Sequence, residues 1–239
     1  MAREFRLELG DGEFLVGDEL PGRPPPYVYL HGLGSVRQGQ KSDSLLVHAG
    51  TLGRGAVRVD QRGHGASSGR LGELPVSALI ADATRLLERT GPAIAVGSSL
   101  GGMVAAHVAA RRPDLVRGLC LLAPAFGLMA NLDRRLDAEG RLWTNNGIGF
   151  VVTPHVLADA RSLAASERDL PTRIHVPTLV VHGTADDVVP ATSSERFASA
   201  LRTVRHDLWL VPGGDHRLSD HAAAIWRRLD DLLGALDAP

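Results

Sequence analysis

Gly97-Ser98-Ser99-Leu100-Gly101-Gly102 carries a serine with a glycine two residues to either side, the spacing of a Gly-x-Ser-x-Gly nucleophile elbow. The apolar run Ala93-Ile94-Ala95-Val96 precedes it and an Ala-rich segment from Met103 follows. A serine on so sharp a strand-to-helix turn has strained backbone angles, and the flanking glycines let the two elements approach each other. The hydroxyl is then held clear of its neighbours, with a helix N-terminus behind it that favours negative charge. Only Ser99 fits the central position, because Val96 stands two residues before Ser98.

A serine alkoxide needs a base, a group that orients the base, and donors for the charge that develops on the substrate oxygen. Each follows an apolar, strand-like run, in the order Ser, Asp, His. Asp186 lies in His182-Gly183-Thr184-Ala185-Asp186-Asp187, just beyond the run Thr178 to Val181. Catalytic groups in open α/β sheets gather at that carboxyl edge. Asp187 is its nearest competitor, and Asp133, after the preceding strand, is a more distant one. His216 stands in Gly213-Gly214-Asp215-His216-Arg217 after the run Leu208 to Val211. Among ten histidines it alone combines a glycine-rich loop, a strand edge and a place downstream of Asp186. His107 falls inside a helical segment, His182 ends an apolar strand and reads as structural, and His31 reads as a brace for its own loop. The backbone N–H of Leu100 and that of Leu33, in His31-Gly32-Leu33-Gly34-Ser35, are the expected oxyanion donors. Asp60-Gln61-Arg62-Gly63-His64-Gly65-Ala66-Ser67 ends another strand, and its polar residues read as structural. The chain has no His-Glu-x-x-His, no clustered cysteines and no phosphate-binding glycine pattern, so neither metal nor cofactor is expected.

These residues need a scaffold that brings distant loops to one edge. Short apolar runs at Tyr27 to Leu30, Ala56 to Val59, Ala93 to Val96, Gly118 to Leu122, Thr178 to Val181 and Leu208 to Val211 read as buried strands. Between them, helical segments are expected near Ser42 to Ala49, Val76 to Thr90, Gly102 to Arg111, Ser193 to Leu201 and Asp220 to Leu236. That alternation predicts an α/β fold, a mostly parallel central sheet with helices on both faces. Phe5 to Leu9 and Glu13 to Val16, around Gly10-Asp11-Gly12, predict a hairpin. Pro21 to Pro26 reads as a connection rather than an element. From Phe126 to Arg173 no strand–helix unit is evident; this stretch is expected to be a small cap inserted into one domain spanning residues 1–239.

Composition narrows the partners. A 44% hydrophobic content is enough for a full core without disulfide or metal staples. The formal net charge of −1 and 4% aromatic content argue against nucleic acid or an anionic membrane as a partner. Cys120, the sole cysteine, lies in an apolar run and is expected to be buried and inert. No segment approaches the roughly 20 apolar residues of a membrane span, and the charged start Met1-Ala2-Arg3-Glu4 does not resemble a secretory peptide. A soluble, cytoplasmic protein is expected. Lys41, the only lysine, sits in a polar stretch that predicts no lowering of its pKa.

Taken together, His31-Gly32-Leu33-Gly34, Asp60-Gln61-Arg62-Gly63-His64-Gly65, the elbow, His182-Gly183 with Asp186 and Val189-Pro190, and Asp215-His216-Arg217 resemble the α/β-hydrolase superfamily over nearly the whole chain. The elbow and Asp215-His216-Arg217-Leu218-Ser219 are similar to its depalmitoylating and acyl-glucuronide-cleaving thioesterase/esterase branch. The resemblance implies a Ser99–Asp186–His216 triad and cleavage of small-molecule substrates that are acyl esters or thioesters. Perhydrolysis, carbon–carbon bond hydrolysis, peptide cleavage and acyl transfer use the same trio, and a non-catalytic binding relative is the alternative outside catalysis. The Phe126 to Arg173 segment matches that branch least.

Overall fold

The computed structural model describes residues 1–144, 146–203 and 205–234. An eight-stranded sheet runs in the order β1-β2-β4-β3-β5-β6-β9-β10. β1 (Arg3–Gly10) and β2 (Glu13–Leu20) form the antiparallel hairpin at one edge, with β2 also antiparallel to β4 (Arg54–Asp60). From there β3 (Arg23–Leu30), β5 (Ala93–Ser98), β6 (Val116–Leu122), β9 (Thr178–Gly183) and β10 (His206–Val211) pair in parallel. All six residues of β5 are buried, as expected for a strand covered on both faces.

Alternating residues of the strands feed two cores. Val28, Leu30 and Ala95 join α2 (Val76–Thr90) and α3 (Leu100–Arg111) on one face. Tyr27, Tyr29, Ile94 and Val96 join α1 (Gln40–Thr51) and α6 (Ala222–Leu233) on the other. In α2 the buried positions Val76, Leu79, Ile80, Ala83, Leu86 and Leu87 recur at three- and four-residue spacing, which confines burial to one stripe. α5 (Ala191–Ala200) adds Phe197 to the first core, where it stacks on Phe126 with ring centroids 4.2 Å apart. The last helix, expected to reach Leu236, is described to Leu233; positions beyond 234 lie outside the described residues.

Two expectations change. Pro24, Pro25 and Pro26 belong to β3 rather than to a connection. The strand pairs with β4 at Arg23 and again from Tyr27, with a register shift between, so the prolines occupy the irregular stretch where no ladder N–H is required. The 126–173 segment also has regular structure of its own. It holds a short hairpin of β7 (Arg141–Trp143) and β8 (Gly149–Val151), then α4 (Pro154–Glu167). Thr153 caps α4 by accepting from Val156 N, with Pro154 in the first turn, a start signal present in the sequence.

β4 and β5 flank β3 on opposite sides, so the chain reverses direction across the sheet there and a crevice opens beyond the strand ends. The loops after β3, β4, β5, β6, β9 and β10 all meet at this edge.

Candidate active site

Ser99 sits between β5 and α3 with φ 53° and ψ −116°, outside the regions favoured by L-residues. Four backbone hydrogen bonds hold it there. Its N–H donates to Leu122 O at 2.9 Å, and its carbonyl accepts from Gly102, Met103 and Ala125. Two glycines make the turn possible: a Cβ on Gly97 would collide with the Gly101 carbonyl, and one on Gly101 with the Leu30 carbonyl. Leu100 begins α3, so its N–H has no intrahelical acceptor. Gly32 approaches so closely that a Cβ there would stand 3.2 Å from the Ser99 Cβ.

Asp186 and His216 meet from neighbouring strand ends. His216 Nδ1 lies 2.7 Å from Asp186 Oδ2. The Asp186 side chain is fully buried, whereas that of His216 is 13% exposed and lines the same cleft as Ser99. Asp186 Oδ1 accepts from Val188 N and Val189 N, both at 2.8 Å. Burial alone would push this carboxyl up, yet the hydrogen bonds from His182, His216 and Val189 outweigh it and hold the group well below the usual carboxylate range. An ionised carboxylate only accepts, so His216 carries its proton on Nδ1 and leaves the Nε2 lone pair as a base. Asp187, the rival acid, is exposed, and Asp133 is paired at 3.7 Å with Arg161, both within the 126–173 segment.

His182 does more than close a strand. Its Nε2 lies 3.0 Å from both Asp186 Oδ2 and the Val189 carbonyl, two acceptors, so that nitrogen bears the proton. Its Nδ1 then accepts from the buried Ser194 hydroxyl at 2.7 Å. His182 thus occupies the second position on Asp186 Oδ2 and fixes the carboxylate plane. Its place at the end of an apolar strand gave no sign of this partner.

The loop after β3 is braced by imidazoles. His31 Nε2 accepts from Gln61 N at 3.0 Å while Nδ1 faces the Gly32 carbonyl at 2.8 Å, and His64 Nε2 accepts from Gly34 N at 3.0 Å. Burial, reinforced by His64, pushes His31 down to about 4. An unfolded histidine takes up its proton near pH 6.5. Between the two values the unfolded chain binds a proton that the folded one does not, so stability falls as pH drops through that window. We expect His31 to cost about 3 kcal/mol between pH 7 and pH 4. Urea midpoints across that range measure the effect, and His31→Gln should flatten the slope by about one proton. An unchanged slope would exclude His31 as its source.

Leu33 lines the cleft beside Ser99 and Leu100. The 126–173 segment reaches the same cleft: Asn146 Nδ2 donates to the Gly34 carbonyl at 3.2 Å and its Oδ1 accepts from Arg217 at 3.4 Å. The cavity, about 280 Å³, has apolar walls from Ala125, Leu128, Met129, Leu132 and Leu142. Its charged lining residues are Lys41, Arg135 and Arg217, with no Asp or Glu among the described residues. Contrary to the expectation for a polar stretch, burial pushes Lys41 down to about 8. Cys120 is buried as expected, and burial pushes its thiol up.

The model of the family described as "Serine aminopeptidase, S33" matches residues 28–146 and 144–220. The chain belongs to this family. A protein named palmitoyl-protein thioesterase ABHD10, mitochondrial, from Mus musculus is 28% identical over 234 residues, covering 91% of this chain and 78% of its own length. A pimeloyl-[acyl-carrier protein] methyl ester esterase of Neisseria meningitidis is 32% identical over 189 residues, covering 62% of this chain and 59% of that protein. The solved structure of mouse alpha/beta hydrolase domain-containing protein 10 superposes with a TM-score of 0.87 at 26% identity, covering 99% of this chain and all of that one. The fold is therefore that of the α/β-hydrolases, and the chain is a hydrolase of that superfamily. Among the described residues no helix is long and apolar enough to cross a membrane, and no group of three or more His, Cys, Asp or Glu could hold a metal ion.

Proposed function

We propose that this chain hydrolyses carboxylic esters or thioesters through an acyl-enzyme on Ser99, with His216 as general base and Asp186 as its orienter. The observation that carries the reading is His216, fixed on a buried, fully bonded Asp186 at 2.7 Å and opening onto the cleft that holds the strained Ser99. Nε2 of His216 takes the Ser99 proton as Oγ attacks the acyl carbonyl. Asp186 steadies the imidazolium that forms. The N–H groups of Leu33 and Leu100 receive the oxyanion, where one donor is typically worth about 3 kcal/mol in the transition state. His216 returns the proton to the departing alcohol or thiol, and water then attacks the acyl carbon with His216 again as base. No step calls for a cofactor.

The apolar walls suit an acyl chain, in keeping with the thioesterase and esterase names of the relatives. Aminopeptidase action, suggested by the family's description, needs a home for a substrate ammonium. Lys41, Arg135 and Arg217 would repel one. Residues 126–173 serve as the cap of a single domain over 1–239, with the cytoplasm as its proposed compartment.

Hydrolysis of a p-nitrophenyl ester series, with matched thioesters and an aminoacyl amide, tests the reading. Each methylene that enters the apolar cavity should raise kcat/KM up to about fourfold, the equivalent of ~0.8 kcal/mol, until the cavity is full. Faster cleavage of the amide than of any ester would favour the peptidase reading.

A further inference from the structure

Lys41 is the one lysine among 239 residues, and its position breaks two local rules. It stands in the first turn of α1, the helix end where a cation is disfavoured. It is also half-buried in the cleft wall, where burial depresses its ammonium while Asp215 and Asp186 pull the other way and Arg217 adds to the depression. Violations of this kind cluster at functional positions.

Its partners show what the ammonium joins. Nζ donates to Ser98 Oγ at 2.9 Å and to the Arg217 carbonyl at 2.6 Å. Ser98 precedes the nucleophile and Arg217 follows the base. Ser98 ends β5 and Arg217 follows β10, two strands separated in the sheet by β6 and β9. A compact ammonium donates in two diverging directions, whereas the planar fork of arginine is shaped for paired acceptors. That difference accounts for a lysine here in a chain where arginine supplies the rest of the formal positive charge.

We infer that Lys41 is a positioning residue for the hydrolysis: bonded at once to Ser98 and to the Arg217 carbonyl, its ammonium sets the separation and bearing of Ser99 and His216. This rests on the Ser99–His216 reading above. Misplacing reacting groups by about 1 Å costs on the order of 10²-fold in rate, so losing the tie should appear in kcat rather than KM.

The rate at which a fluorophosphonate phosphonylates Ser99 reads that alignment without any choice of substrate. Lys41→Met should slow labelling and ester kcat by on the order of 10²-fold while KM stays within about threefold. Ser98→Ala should show part of the loss, and the double variant should be no slower than Lys41→Met, the non-additivity of one shared contact. In Lys41→Ala, added propylammonium replaces the missing atoms and should restore part of the rate, which a lysine that merely supports folding would not permit. Labelling of Lys41→Met within about twofold of the native rate overturns the inference alone. A slow Lys41→Ala that propylammonium does not rescue overturns it as well. Labelling that survives Ser99→Ala overturns the hydrolase reading and this inference together.

Discussion

Ser99→Ala is expected to lower kcat for a good ester by about 10⁶-fold, the scale seen when a serine hydrolase loses its nucleophile. What remains should be a ~10³–10⁴-fold advantage over water from the oxyanion donors and binding alone. The fold should not notice the change. The backbone of residue 99 is held by the Leu122 carbonyl and by the N–H groups of Gly102, Met103 and Ala125, none of which involves the hydroxyl. Alanine meets the same positive φ as serine, so stability should stay within about 0.5 kcal/mol of the native value. Steady-state ester hydrolysis beside a thermal melt checks both halves. Near-native turnover in the variant would remove Ser99 from the mechanism.

Asp186→Asn should cost about 10⁴-fold in kcat, whereas Asp187→Asn should leave it nearly unchanged. Four donors converge on the Asp186 carboxylate: Val188 N and Val189 N on one oxygen, His216 and His182 on the other. An amide offers one acceptor oxygen and one NH2 group. Turned with NH2 toward the backbone, it faces two N–H groups that have nowhere else to donate. Turned with NH2 toward His216, it donates to Nδ1, drives the ring proton to Nε2 and removes the base. Both orientations misplace a buried polar group, so a stability loss of roughly 1–3 kcal/mol should accompany the rate loss. Asp187 is exposed and contacts none of these groups in the described hydrogen bonds. A larger rate loss in Asp187→Asn would reassign the acid.

Much of the site was legible because its parts are local. The elbow announces itself through two glycines whose necessity is steric, and the strand runs before Ser99 and Asp186 are apolar because helices cover both sheet faces, whereas β10 before His216, expected to be buried, is an edge strand buried only at Val211. Elements that depend on distant partners were not legible. β7 and β8 are three residues each and exist through their mutual pairing, too short for a periodic signal. The prolines of β3 read as a connection because the register shift that accommodates them belongs to the pairing with β4. α4 did carry a local signal, Thr153-Pro154, obscured by the irregular stretch around it. His182 and Lys41 depend on contacts made only after folding. His182 looked like a strand end until Asp186 came to lie 3.0 Å away. Lys41 looked solvated because its neighbours Gln40, Ser42 and Asp43 are polar, while its burial comes from Ser98 and the loop holding Arg217.

Hydrolysis by this triad turns on a covalent acyl group at Ser99. The most direct test is to mix the protein with a p-nitrophenyl ester, quench with acid during the first turnover and locate any added acyl mass by peptide mass spectrometry. One acyl group is expected, on the peptide that contains Ser99, appearing with the first equivalent of p-nitrophenol and lost in Ser99→Ala. Sustained turnover with no acyl group at Ser99, or with the group on Lys41 or His216 instead, would contradict it.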